Sequence, residues 1–259
     1  MTTALEGRKV LVVGAGTRPS DDPEAPVGNG RAISVVAGRA GATVACADVD
    51  AGAARFTAAL VEAEGATAHV LGADVTDPEA CAELIDAAAA AMGGLDGLVL
   101  NVGIGAGMGM QGTTPEQWDA VFAVNVRSHF LLARAALDVM PEGGAIVFIS
   151  SIAGLTAGSR IPAYDASKSA LTGLCRQAAA EGARRGIRAN VVAPGLIDTP
   201  LGRVATSGRP SRAKAPVPLG RQGTAWEVAE PVVFLLSDAA SYITSQLLAV
   251  DGGLTGCRG

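Results

Sequence analysis

Short apolar runs rich in β-branched residues alternate with longer Ala-rich stretches whose apolar positions recur every three or four residues. The runs at 9–13, 43–47, 68–71, 98–100, 145–149, 187–192 and 247–250 read as strands. They lack in–out alternation, the pattern of strands buried on both faces of a parallel sheet. The intervening spacing predicts helices over 30–40, 51–64, from Asp77, from Thr114 to about 138, over 162–184 and over 227–236. Gly41 and Gly65 stand where two of these helices end. Asp77-Pro78 and Thr114-Pro115 each place a capping side chain before a proline suited to the first helical position. Strand–helix alternation at this spacing predicts a doubly wound α/β fold of about seven strands with helices on both faces. No composition break divides the 259 residues, so one domain is expected. The stretch 201–218 has no clear periodicity and carries Arg203, Arg209, Arg212 and Lys214 among three prolines. It reads either as a substrate lid or as a solvated loop.

The turn after the first strand carries the first chemical signal. Gly14-Ala15-Gly16 begins a glycine-rich phosphate loop, but Pro19 and the acids Asp21, Asp22 and Glu24 follow, and no helical pattern starts there. The pattern starts at Gly28-Asn29-Gly30. The reading is a loop in two pieces, with an inserted excursion at 17–27. Gly14 makes the turn, and Gly28 and Gly30 let backbone approach phosphates at a helix N-terminus, where unpaired N–H groups favour anions. Asp48 ends the second strand 18 residues after Gly30. A carboxylate there accepts hydrogen bonds from an adenosine ribose diol, as in a Rossmann-type dinucleotide site. A 2′-phosphate would meet like charge, so NAD(H) is favoured and NADP(H) left possible, with Arg18 a residue that could compensate. Asp74-Val75, ending the third strand, could hold the adenine edge or simply cap a helix.

The second signal lies past the fifth strand. Tyr164 and Lys168 are four residues apart at the start of a helix, 13 residues after Ser151. Ligands of open α/β sheets bind at the carboxyl ends of the strands, where these groups converge. Hydride transfer at a carbinol carbon requires a proton to move at the oxygen. A free phenol, with pKa about 10, is a poor base at neutral pH; an oxidised nicotinamide beside Tyr164 and the Lys168 ammonium lower it, and Lys168 can also hold the nicotinamide ribose. The Ser151 hydroxyl can polarise the substrate oxygen.

With these residues in view, the sequence resembles the short-chain dehydrogenases/reductases over nearly its whole length. The resemblance rests on Val13-Gly14 through Gly28-Asn29-Gly30, Asp74-Val75, Asn101-Val102-Gly103, Asn125, Ser150-Ser151, Tyr164 to Lys168, Pro194 to Thr199 and Asp251-Gly252-Gly253. It implies Tyr164 as acid/base, Lys168 as its partner, Ser151 as ligand of the substrate oxygen, and Asn125 as holder of a water in a proton relay through Lys168. Asn101 and Gly103 would line the cofactor. Pro194, Gly195, the backbone at Ile197 and the Thr199 hydroxyl would flank the carboxamide. A homotetramer, or a homodimer, built on the helices near 115–138 and 162–184 is also implied. Val13, Asn29 and Val102 depart from the usual residues of the family, as does the 17–27 stretch. The longer Tyr–Lys spacing that the resemblance would imply for enoyl reductases is not seen.

Bulk properties narrow the alternatives. Net charge is −5 and no Lys/Arg cluster forms a basic stripe, so no nucleic-acid partner is expected. No run of about 18 uninterrupted apolar residues suggests a membrane partner, and the first residues lack a secretion pattern. A cytoplasmic location is expected. Cys46, Cys81, Cys175 and Cys257 are far apart, with only His69 and His129 besides, so no metal site is expected and the thiols read as buried and free. The expected activity is an NAD(P)(H)-dependent interconversion of a secondary alcohol and a ketone. An epimerase or dehydratase on the same scaffold, or a dinucleotide sensor without turnover, stays open. Ile104 to Met110, Ile152-Ala153 and the 201–218 loop are expected to wall a substrate pocket with an apolar lining.

Overall fold

A computed structural model describes residues 4–17, 25–206 and 217–257, less the side chains of 204–206. Seven strands form one parallel sheet: β1 (Lys9–Val13), β2 (Thr43–Asp48), β3 (Ala68–Gly72), β4 (Gly97–Leu100), β5 (Ala145–Ile149), β6 (Arg188–Pro194) and β9 (Leu247–Val250). Their spatial order is β3-β2-β1-β4-β5-β6-β9, so the chain reverses direction across the sheet between β1 and β4. That switch point opens a crevice at the strands' carboxyl ends. Val13 at the end of β1 is in register with Ala47 on one side and Leu100 on the other.

Successive strand residues serve opposite faces. Val10, Val12, Val44, Cys46, Val147 and Ile149 join one core, and Leu11, Val13, Ala45, Ala47, Ile146 and Phe148 join the other. Both faces need apolar side chains, which is why the strands read as unbroken apolar runs. The first core is closed by helices α1 (Asn29–Arg39), α2 (Ala51–Ala63) and α8 (Ala225–Leu236). The second is closed by α3 (Pro78–Met92), α5 (Ser128–Val139) and α6 (Pro162–Gly182).

The capping chemistry appears where it was expected. Asp77 accepts from Glu79 N at 3.0 Å, and Thr114 and Gln117 cap each other reciprocally. The helix after Thr114 differs from expectation. It runs as α4 (Pro115–Phe122), a π-helical turn (Ala123–Arg127) and α5. At that turn the Asn125 amide leaves the helix axis to bond the Ile104 backbone, a tertiary contact that no period reveals. The run Pro115–Val139 is long and apolar enough to cross a membrane by length and composition alone, and half of its most apolar window is buried within the fold.

Three further differences emerge. The start of the 201–218 stretch is helical, as α7 (Pro200–Thr206), with Arg203 paired to Asp198. The rest of that stretch up to 216, including Arg209, Arg212 and Lys214, lies outside the described residues, as does most of the 17–27 stretch, with Arg18, Asp21, Asp22 and Glu24. A two-stranded sheet of β7 (Ile197–Asp198) and β8 (Gly223–Thr224) braces the segment after β6, a pairing too short to leave a pattern. Cys46, Cys81 and Cys175 are buried as expected, but Cys257 is exposed because it follows the last strand in a terminal turn.

Candidate active site

At the nucleotide end, Gly14 turns the chain off β1 with φ +82°, a conformation that suits glycine. Its carbonyl accepts from Asn101 Nδ2 at 2.8 Å, so the turn is tied to the residue after β4. The start of α1 packs so closely on this turn that a Cβ at Gly30 would lie 1.9 Å from Gly14 O. Gly28 N donates to Thr17 Oγ1 at 2.9 Å. Helix α1 has no side-chain cap and no acid in its first turn, so its N-terminal dipole is left uncompensated by the described side chains. Asp48 holds the other rim: Oδ2 accepts from Gly16 N at 2.8 Å and Oδ1 from Asp50 N at 3.1 Å. Asp74 is exposed, and its Oδ1 accepts from the Thr76 backbone and hydroxyl, which hold its carboxyl below the usual range. Beside it, Val75 is buried.

At the other end, Lys168 is fully buried yet carries an ammonium group. Nζ donates to Ile149 O at 2.9 Å and stands 5.7 Å from the Tyr164 ring centroid. Burial pushes its pKa down to about 8. Ser150 Oγ donates to Lys168 O at 2.8 Å, fixing the turn after β5 to α6. A Cβ at Gly154 would lie 2.7 Å from Lys168 C, so that turn rests directly on the helix. Ser151 Oγ accepts from Ala153 N at 3.2 Å and is half-buried beside Ser150. Asn125 is fully buried: Oδ1 accepts from Ile104 N at 2.8 Å, and Nδ2 donates to Ile104 O and Ser167 Oγ, each at 2.9 Å. Ser167 Oγ donates in turn to Tyr164 O at 2.8 Å.

One cavity of about 550 Å³ joins the two ends. Gly14, Gly28, Asn29, Gly30, Asp48, Asp74 and Val75 line one part of it, and Asn101, Gly103, Tyr164, Lys168 and Thr199 the other.

A family model described as enoyl-(acyl carrier protein) reductase matches residues 26–255. The chain is 38% identical to 2-(S)-hydroxypropyl-CoM dehydrogenase 3 of Xanthobacter autotrophicus, over 98% of this chain and 99% of that one. It is 45% identical to the inactive 2-(S)-hydroxypropyl-CoM dehydrogenase 2 of the same organism, over 84% and 96%. Among solved structures it superposes with TM-score 0.86, at 34% identity over 98% and 99% of the two chains, on an Agrobacterium tumefaciens chain assigned as a 2-deoxy-d-gluconate 3-dehydrogenase with bound NADP. This chain is a short-chain dehydrogenase/reductase.

In this short-chain dehydrogenase/reductase most candidate residues converge on the cavity, and a few stand behind it. Asn125 and Ser151 are not among its lining residues. Pro194 ends β6, and Gly195 packs on Asp251, where a Cβ would lie 2.6 Å from the Asp251 Cβ. Both lie outside the lining, as does buried Ile197, whereas Thr199 lines the cavity while its Oγ1 accepts from Gly202 N at 3.0 Å. The expected apolar wall is only partly present: Ile104 lines the cavity, whereas Met108 and Met110 are 46% and 80% exposed and Ile152 is absent from the lining. Leu201, Pro200 and Val49 do line it.

Several bracing residues were not singled out from the sequence. Thr57 Oγ1 donates to Ala15 O at 3.0 Å and accepts from Arg31 Nε at 3.1 Å, holding the glycine turn against α2. Ser150 and Ser167 brace the other end. Both fall within stretches on which the family resemblance rests, but the sequence gives them no bracing role.

The family binds NAD(P), and the cavity fits such a group. Asn29 Oδ1 is buried in the lining region with no hydrogen-bond partner among the described residues, and the α1 N-terminus opens beside it. Orphan polar groups of this kind are rare unless a ligand or water completes them.

Proposed function

We propose that the chain interconverts a secondary alcohol and a ketone with NAD(H), using Tyr164 as acid/base. The observation that carries this reading is the single cavity running from Asp48 to Tyr164 and Lys168. A nicotinamide dinucleotide bound there would donate or accept the hydride. Tyr164 gives its phenolic proton to the substrate oxygen in reduction and takes it back in oxidation. The Lys168 ammonium favours the phenolate by charge. Ser151 Oγ accepts from Ala153 N, which leaves its own hydrogen for the substrate oxygen. Both amide hydrogens of Asn125 are spent, so any relay water rests on its backbone or the second Oδ1 lone pair. Asp48 would face the adenosine ribose and disfavour a 2′-phosphate by like charge. The NADP-bound structural relative keeps that preference a matter for measurement.

The test is absorbance at 340 nm with each dinucleotide and a panel containing 2-(S)-hydroxypropyl-CoM, cyclopentanol and 3-oxoacyl thioesters. Turnover that vanishes in Tyr164→Phe, by roughly 10³-fold or more, with dinucleotide affinity retained, supports the reading. Undiminished turnover in that variant defeats it. Dinucleotide binding without turnover on any substrate would favour the sensor reading, for which the inactive relative is the one pointer.

A homotetramer, or homodimer, is the assembly we infer. Trp118, Phe130 and Val139 on α4 and α5 are 38%, 43% and 38% exposed, apolar side chains along these helices that further copies would cover. Sedimentation of the purified chain as a monomer would remove this inference.

A further inference from the structure

The segment 100–104 touches both ends of the cleft. Leu100 closes β4, and Asn101 Nδ2 bonds Gly14 O. A Cβ at Gly103 would come within 3.1 Å of Lys168 Nζ. Ile104 exchanges two hydrogen bonds with Asn125, so this end of the segment is fastened to the π-helical turn.

The other end is fastened to the same helix one turn later. His129 Nε2 lies 3.2 Å from Leu100 O. A carbonyl only accepts, so the ring carries its hydrogen on Nε2 and donates. Nδ1 is then an acceptor 3.3 Å from Ser128 Oγ, whose one hydrogen goes to Val124 O at 2.5 Å, so the Leu100 bond is the one the ring itself makes through a donated hydrogen. Ser128 and His129 are fully buried, as are Leu132 and Ala136 farther along the helix, which are apolar. Burial, reinforced by the Lys168 charge, pushes the His129 pKa down to about 3. The ring is therefore neutral at working pH and moves no proton, and the chemistry proposed above leaves it without a part. A fully buried imidazole that donates across 29 residues to a strand-end carbonyl is a joint rather than a filler.

We propose that His129 is a positioning residue that, together with Asn125, clamps the two ends of segment 100–104 to one helix and so fixes the wall shared by the dinucleotide and Lys168. The functional part of this inference rests on the oxidoreductase reading.

Three variants separate a joint from a packing residue. His129→Gln carries an amide N–H the same number of bonds from the backbone as Nε2, so it can reach Leu100. His129→Asn carries its amide at the Nδ1 distance, so it can reach Ser128 but not Leu100. His129→Phe fills the space with no polar group. NADH fluorescence titration, steady-state turnover and melting temperature are measured for each and for the wild-type chain. The expected result is dinucleotide affinity and kcat lowered about 3–10-fold in the Asn and Phe variants, the scale of one lost hydrogen bond. The Gln variant should stay within about twofold of wild type.

The inference is overturned if Asn and Gln behave alike, or if all three lose function only in step with melting temperature. Should the Phe variant not fold, the Asn–Gln contrast decides alone. Wild-type chain that binds NADH without turnover would sink the oxidoreductase reading, and the clamp would still be judged on the affinities. Wild-type chain that binds no dinucleotide would sink both.

Discussion

The two ends of the cleft are built by different means. At the end that holds Tyr164 and Lys168, the wall is made of side chains fixed by buried hydrogen bonds: Lys168 to Ile149, Ser150 to Lys168, Asn125 to Ile104 and Ser167. At the end proposed for the nucleotide, the wall is made of backbone: the Gly14 turn, the uncapped start of α1, and the Gly16 N–H on Asp48. A site made of side chains tolerates backbone variation around it. A site made of backbone depends on the absence of side chains. The two ends should therefore fail differently when mutated.

Lys168 is where the contrast can be broken, because it stands between Tyr164 and the Gly103 segment that runs back to the glycine turn. Lys168→Met keeps the volume and removes the charge. We expect turnover to fall ~10²–10³-fold, the scale of losing a preorganised charged donor, and dinucleotide affinity to fall with it. Stability should move the other way. The Lys168 pKa is about 8 in the folded chain against the ordinary 10.5, so the unfolded chain binds more protons between those values. The cost of the buried charge is then full below about pH 8 and is relieved as pH rises toward 10.5. A melting-temperature profile in which wild type and Lys168→Met converge on going from pH 7.5 to 10 is the check. Parallel curves would show that the ammonium is compensated in the fold.

Gly30→Ala sharpens the contrast from the other side. Its Cβ would sit 1.9 Å from Gly14 O, a clash with backbone that no rotamer relieves. We expect a loss of ~1–3 kcal/mol of stability and dinucleotide affinity weakened beyond easy saturation, without any change in the Tyr164–Lys168 geometry. Urea unfolding and NADH titration report the two effects separately. Full affinity in this variant would mean that the turn can rearrange.

These two ends were also unequally legible in the sequence. Tyr164 and Lys168 could be read because four residues on a helix is a local relation, and Asp77 and Thr114 because caps act within one turn. Asp48 could be read because a strand end 18 residues past the glycines is a fixed place in this topology. The braces could not. Asn125 meets Ile104 across 21 residues, and Thr57 meets Ala15 across 42. The π-helical turn coincides with the first of these contacts, and a helical period runs straight through it. The helix α7 was obscured because its seven residues include Pro200 and Gly202. Exposed Met108 and Met110 were misplaced as pocket lining because apolar character alone does not say which way a loop side chain points.

A smaller effect tests selectivity at the nucleotide end. Asp48→Ala removes the carboxylate that Gly16 N and Asp50 N hold in place. The NAD/NADP affinity ratio should drop by up to about fivefold, the scale of one charged contact near the surface. An unchanged ratio would place discrimination on other residues of the loop, Arg18 among them.

The mildest expected effect concerns acid. His129 is neutral in the fold because burial, and after it the Lys168 charge, hold its pKa near 3 instead of 6.5. Below about pH 6.5 the unfolded chain takes up a proton that the folded chain refuses. Stability therefore falls as pH drops through that window, by at most about 1.4 kcal/mol per pH unit from this group. His129→Gln has no proton to take up and should lose less stability than wild type between pH 6.5 and 4.5. Urea midpoints of both proteins across that range decide it. Equal slopes would mean that the folded ring does accept a proton, which would make His129 a titrating neighbour of Lys168 instead of a fixed joint.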